Sequence, residues 1–394
     1  MKKSTTNSLA LMMLFQYFLF AVWWVPLAAY LTNMDMSSTQ KAFILSSVAL
    51  GCLFSPLIGM IADKYFPSEK VLALINIVTA ILLMGAGVVK DPNLLFILLL
   101  FAMIFHMPTW GLTSSIAMSH APSEIFARIR VFGSIGWVAS GLCSLFTIRV
   151  LGLDFDGTNL PFFYGAGFAI VAAMINFTLP NTPPPAKGDK GSVVDAFGLN
   201  TMKLMKDKNF AVFIIVSFLA MIPFSMYWSY CSQFLQAEKF KYISITMNWG
   251  QLAEMLILLS VPFMIRKFKI KATLIIGLLF LSIRYFAFFA GIATEVSGLY
   301  FIGILVHGFI FGYFFLGGQT YIDQKVPVSL KAQAQGFIFL VTFGLGLLVG
   351  NFFIAKLLEV FGWSSAWLIS AIISLGLALT MMLIFRNETS ARQT

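Results

Sequence analysis

The chain reads as an all-α membrane protein of twelve transmembrane helices in two six-helix halves. Three observations predict this. Its 394 residues are 59% hydrophobic and only 11% charged, where a soluble domain carries about 25% charged residues. The apolar residues gather into twelve stretches. Each approaches the roughly 20 residues a helix needs to cross a hydrocarbon core with its backbone polar groups satisfied internally. A proline-rich, basic segment divides those stretches six and six.

In chain order the predicted spans are 8–31, 42–62, 70–89, 94–118, 130–150, 160–180, 209–236, 243–265, 272–292, 297–322, 333–356 and 362–385. The opening MKKSTTNSLALMMLFQ starts like a secretory signal. Its apolar run continues through Tyr30 with no small-residue cleavage site, so a first span is expected. Charge orients the set. Of 26 Lys and Arg, six (Lys41, Lys90, Arg149, Lys239, Lys241 and Lys356) fall on one face, Arg284 lies inside a span, and the other 19 share the opposite face. Such a bias in short loops marks the cytoplasmic side and puts both termini there. The net charge of +10 thus reports topology, and no nucleic-acid partner is expected.

The polar segment 181–208 (NTPPPAKGDKGSVVDAFGLNTMKLMKDK) predicts a cytoplasmic linker with a short amphipathic stretch at Val193–Met205. It separates an N-terminal bundle, 1–180, from a C-terminal bundle, 209–394. A weak repeat supports the division: Asp63-Lys64 precedes Arg266-Lys267 by 203 residues, and Gly133 precedes Gly336 by the same interval. Duplicated six-helix halves are the plan of a large transporter architecture, whose substrate site is expected near the bilayer midplane between the halves.

Charges at bilayer depth cost several kcal/mol, about 2.5–3.5 on insertion scales, and so face a cavity or a partner. Among the acidic residues Glu254 is the one near the centre of a span, in MNWGQLAEMLILL. Gln251 and Asn248 precede it at steps of three, a polar ladder on one helix face. Such a ladder serves either as an interhelical clamp or as a substrate or proton site. Arg284 is the basic residue deep within a span, and Arg130 opens the fifth; either can neutralise Glu254. His106 and His307 lie within spans as packing groups or proton relays. Span 1 offers Gln16, Tyr17, Trp23 and Trp24 before Pro26, and span 7 offers Ser225, Tyr227, Trp228, Tyr230 and Gln233 after Pro223. Beside helix-interrupting prolines, such amides and aromatics are candidates to line a cavity and stack on a planar ring. Cys52, Cys143 and Cys231 read as small packing residues. With no metal-ligand spacing, phosphate-binding loop or nucleophile–base arrangement, no cofactor, metal or enzymatic activity is expected.

The loop GMIADKYFPSEK (59–70) resembles the signature between spans 2 and 3 of the major facilitator superfamily, which implies a gating latch at Asp63 and Lys64. Over nearly its whole length the chain looks like the nucleoside:proton symporter family of that superfamily. The resemblance is carried by Gln16…Trp23, GMIADK (59–64), HMPTWGL (106–112), RIRVFGSIGW (128–137), QLAE (251–254), Ile283-Arg284-Tyr285-Phe286 and KAQAQGF (331–337). It implies proton-driven nucleoside import across a bacterial inner membrane by alternating access, by a chain expected to act as a monomer. It implies binding positions at Arg130, Ser134 and Trp137 in span 5 and at Gln251 and Glu254 in span 8. Two departures stand out. Span 7 has Ser225 and Trp228 where the family pattern has amides, and FGYFF (311–315) has Gly312 where it has an acid. Proton coupling then rests on Glu254, with a histidine in support. The altered span 7 leaves a sugar or sugar derivative as the alternative cargo.

Overall fold

The computed structural model describes residues 3–34, 36–184, 193–327 and 330–386, with the side chains of 3, 4, 61–63, 123, 124, 127, 193 and 332 outside that description. The described residues are overwhelmingly helical. In unit 1 the principal helices are α1 (Lys3–Trp24), α2 (Ser47–Tyr65), α3 (Ser68–Val88), α4 (Pro92–His106), α5 (Thr109–His120), α6 (Ser123–Val150) and α7 (Leu160–Phe177). After the 181–208 segment come α8 (Lys208–Trp228), α9 (Ile243–Leu258), α10 (Val261–Thr294), α11 (Gly298–Leu305), α12 (Gly317–Lys325), α13 (Lys331–Phe339) and α14 (Leu347–Ile384).

Helix ends follow local chemistry. Asp91 caps α4, its carboxylate accepting from the Leu94 N–H at 2.8 Å, with Pro92 in the first turn. Asp207 caps α8 by accepting from the Phe210 N–H at 2.9 Å. Pro26, Pro108 and Pro122 sit at helix starts, where a missing N–H costs nothing. Two stretches, Ile310–Leu316 and Leu340–Gly346, are wound as π-helix.

Ten helical segments among the described residues are long and apolar enough to cross a membrane. Two regions depart from the predicted set of twelve. Ile243–Leu258 has 16 residues. Gln333–Ile384 runs for 52 residues without a loop and turns at Gly362, whose φ of 69° lies in the left-handed region that glycine adopts freely.

The chain divides into two compact units: unit 1 is Met1–Ala196 with Ser229–Trp249, and unit 2 is Phe197–Trp228 with Gly250–Thr394. Within unit 1, α1 packs on α6 and α7, and α3 packs on α7. Within unit 2, α14 packs on α10 and α8. The segment 229–249 groups with unit 1 although the chain on either side of it belongs to unit 2.

Candidate functional site

Unit 2 holds a string of ionisable groups. Arg284, on α10, is fully buried. Its Nε donates to the Gly303 carbonyl at 3.1 Å and a terminal nitrogen reaches His307 Nδ1 at 2.7 Å. Its guanidinium carbon lies 3.9 Å from the Tyr227 ring centroid, a desolvated cation–π contact. On the other edge of the imidazole, His307 Nε2 lies 3.4 Å from Glu254 Oε2. Two of the three arginine nitrogens are thus spent on a carbonyl and a ring.

The donor inventory fixes the histidine. A guanidinium has only donors, so Nδ1 must accept, and the neutral ring carries its hydrogen on Nε2, facing Glu254. His307 therefore hands the field of a permanent cation to a carboxylate as a neutral intermediary. Its side chain is 3% exposed while that of Glu254 is 18% exposed, so the string runs from a sealed end to a partly open one.

Two glycines create this approach. A Cβ at Gly308 would fall 2.7 Å from the Glu254 Cα, and one at Gly250 would fall 2.9 Å from the Ile304 carbonyl oxygen and 3.1 Å from the His307 Cβ. Helix α9 can lie against the chain around His307 only because both positions lack side chains. The helix breaks between Leu305 and His307 and then winds as π-helix from Ile310, a local rewinding that re-aims side chains.

Beside this string stands an aromatic cluster. Trp228 stacks on Phe224 at 5.7 Å and 24° and meets Phe311 at 6.2 Å and Phe343 at 6.0 Å. Phe224 is buried, but Trp228, Phe311, Phe315 and Phe343 are half-buried, leaving aromatic surface for a planar ligand. Gln251 is half-buried one turn before Glu254, and its Oε1 has no hydrogen-bond partner among the described residues. Ser225 is placed differently. It is buried, and its hydroxyl donates to the Ile222 carbonyl of its own helix at 2.8 Å.

Unit 1 brings other predicted residues together. Arg130, Ser134 and Trp137 follow at intervals of four and three on α6, hence on one helix face. Arg130 places its guanidinium 4.6 Å from the Tyr17 ring centroid, and Tyr17 stacks on Trp110 at 6.0 Å. Gln16 and Asn76 exchange amide hydrogen bonds at 3.1 and 2.9 Å, and Gln16 also donates to Thr109 at 3.1 Å. All three are fully buried, so this amide is a core fastener and not a cavity lining. His106 is buried and stacked on Phe20 at 5.2 Å, with neither ring nitrogen hydrogen-bonded among the described residues. Asn248 departs from the expected ladder, donating to the Val138 carbonyl at 3.0 Å within unit 1. Lys64 is half-buried at the end of α2, and the Asp63 side chain lies outside the described ones.

Comparison with known proteins identifies the family. The sequence pattern of the nucleoside H+ symporter family matches residues 3–390. YegT of Escherichia coli (strain K12) is 34% identical over 98% of this chain and 96% of its own. The nucleoside permease NupG of the same organism is 26% identical over 95% and 94%. A solved NupG structure, of a variant, superposes with a TM-score of 0.88 at 25% identity, covering 97% of this chain and all of that one. The chain is a multi-pass bacterial membrane transporter with the major facilitator fold, and it belongs to the nucleoside H+ symporter family.

Proposed function

We propose that nucleoside import by this symporter is coupled to the proton through Glu254 alone, with His307 and Arg284 holding that carboxylate in its charged form. The observation that carries the reading is the fixed tautomer of His307: Arg284 occupies one nitrogen and the other presents its hydrogen to Glu254. Protonating Glu254 removes the negative charge that the Nε2–H faces and leaves a weaker, neutral acceptor. The string then loses its attraction at one end, and an uncharged α9 is free to change position with the substrate bound. His307 positions the proton site and does not carry the proton, because a second proton on its ring would have to displace Arg284.

On unit 2, Gln251 and Glu254 are assigned the sugar hydroxyls and Trp228 with its aromatic neighbours the base. On unit 1, Arg130, Ser134 and Trp137 are the assigned substrate contacts. Ser225 shapes the helix around Pro223, His106 is a packing residue, and Asp63 with Lys64 forms a cytoplasmic latch. A nucleoside offers both a planar base for aromatic surface and hydroxyls for amide and carboxylate groups, and the family match favours it over the sugar.

The reading includes twelve passes, 1–180 and 209–394 joined by 181–208, both termini in the cytoplasm, and a monomer as the working form. Its support is that the 16-residue α9 and the turn of the 52-residue run at Gly362 supply the two passes beyond ten. In proteoliposomes with an imposed pH gradient, Glu254→Gln is expected to lose concentrative uridine or adenosine uptake while retaining counterflow exchange. Gradient-driven accumulation by that variant at the wild-type level would overturn the assignment.

A further inference from the structure

We propose that Asp156 is a positioning residue of the transport cycle, which clasps the start of α9 to α6 and, on release, uncovers the α6 face bearing Ser134 and Trp137. Asp156 lies in the short loop between α6 and α7. Its Oδ2 accepts from the Ser144 hydroxyl at 2.7 Å and from the Ser244 backbone N–H at 3.3 Å, and its Oδ1 accepts from the Ser244 hydroxyl. One loop carboxylate thus ties α6, through Ser144, to α9, through Ser244.

The site is built for that job. Ser244 is the second residue of α9, so its N–H is one of the helix's orphan donors, and a negative charge there is favoured by the helix dipole. Hydrogen bonds to a charged acceptor are about twice as strong as neutral ones. Burial pushes the Asp156 carboxyl above the ordinary carboxylate range, against the downward pull of Ser244, Ser144 and Ile243, so protein donors rather than bulk water surround it. Gly157 follows at φ 81°, and a Cβ there would lie 3.0 Å from the Asn33 side chain and 3.1 Å from that of Gln236.

The clasp continues along α9. Four residues on from Ser244, Asn248 donates to the Val138 carbonyl at 3.0 Å and lies 3.4 Å from that of Trp137. Gly141 leaves room for the Asn248 amide, which a Cβ would strike. Arg149 stands 5.4 Å from the Tyr242 ring centroid. The reason to expect release, and not permanent adhesion, is that α9 passes from unit 1 to unit 2 at Trp249–Gly250. Its first turns carry the clasp and its later ones carry Gln251 and Glu254. A single helix therefore links the clasp to the proton site.

The test uses the full-length protein with Cys52, Cys143 and Cys231 replaced by alanine, labelled with a membrane-impermeant maleimide. Leu153→Cys, on the exposed loop, identifies the face from which reagent must be added. Ser134→Cys then reports opening of the α6 face from that side. Asp156→Ala, which removes all three bonds to the carboxylate, is expected to speed labelling at position 134 about tenfold. Ser244→Ala, which keeps the backbone bond, is expected to speed it about threefold. The same variants are expected to lower both KM and the maximum rate of uptake, a split that simple loss of folded protein does not produce. An unchanged labelling rate in Ser244→Ala together with Asp156→Ala or, if that variant does not fold, Asn248→Ala would overturn the clasp. Labelling needs neither nucleoside nor gradient, so this proposal and the assignment of Glu254 fail separately.

Discussion

Each unit buries a polar knot in an apolar bundle, and the two knots differ in kind. In unit 1, Gln16, Asn76 and Thr109 are neutral, fully buried and reciprocally bonded at 2.9–3.1 Å. In unit 2, a neutral His307 stands between the charged Arg284 and Glu254, and the string runs from full burial to partial exposure and ends in a 3.4 Å contact. A closed set of amide hydrogen bonds has one satisfied state. A charged string with a loose, partly exposed end has two, one for each protonation state of its carboxylate. The first holds helices together, and the second responds.

The widest separation between the knots is expected from Arg284. Arg284→Ala strands a buried histidine and carboxylate without their cation, a loss of about 3–5 kcal/mol for a broken buried pair. Concentrative uptake should fall at least a hundredfold in a proteoliposome assay. Arg284→Lys should recover little, because one ammonium does not reproduce the fork that meets Gly303 and His307 together. Recovery to wild-type rates with lysine would mean that charge alone matters. His307 sharpens the same point: His307→Gln offers a neutral amide with both a donor and an acceptor. Gradient-driven uptake within about tenfold of wild type fits an intermediary whose net worth is one or two hydrogen bonds. Complete loss of coupling with counterflow intact would instead make the imidazole a proton carrier.

The unit 1 knot should fail in another way. Gln16→Ala leaves Asn76 and Thr109 with buried unmet groups, at about 1–3 kcal/mol each. A lower melting temperature is expected, with the KM of the surviving protein unchanged. The pair Gln16→Leu with Asn76→Leu should be milder than either single change, since removing both partners strands less. A thermal-shift double-mutant cycle measures this, and a KM change in Gln16→Ala would turn the fastener into a ligand contact.

This contrast also separates what the sequence made legible from what it hid. Glu254 and Arg284 stood out because an ionisable residue at bilayer depth is anomalous in any sequence. Their linkage through His307 was hidden, since a helical histidine looks the same whether it packs, as His106 does on Phe20, or bridges charges. Gln16 is one of several cavity candidates by sequence and a buried fastener in the fold, because an amide in a span shows its need for partners but not their position. Asn248 sits at the right spacing for the Gln251–Glu254 face, but carbonyls of α6 took its amide first. Asp156 escaped notice for the opposite reason. A loop aspartate is unremarkable until the fold places Ser144 and Ser244 around it, and only the run DFDGTN in so short a loop hinted at a built turn. The helical, multi-pass class was plain, because apolar length and charge bias are properties of sequence before they are properties of structure.

The smallest expected effect lies outside both knots, at Asp207, and it tests whether polar contacts away from the bilayer are only structural. Partial burial pushes this carboxyl up, but the hydrogen bond from Lys325 and those from the Phe210 and Asn209 N–H groups outweigh it and hold it below its ordinary range. Lys325 approaches to 2.9 Å, and the aspartate remains 41% exposed. A depressed folded-state value means that the contribution is present above about pH 4, the unfolded carboxylate range. It is lost as pH falls through the folded value. Asp207→Ala should therefore cost about 1 kcal/mol at neutral pH, the usual worth of a helix cap, and nothing in acid. Thermal denaturation in detergent as a function of pH measures this, with wild-type and variant curves converging as the solution is acidified. Coupled uptake at neutral pH should be unaltered. A loss of coupling in Asp207→Ala would show that the Lys325 contact takes part in the transport cycle, and that charge outside the bilayer also responds.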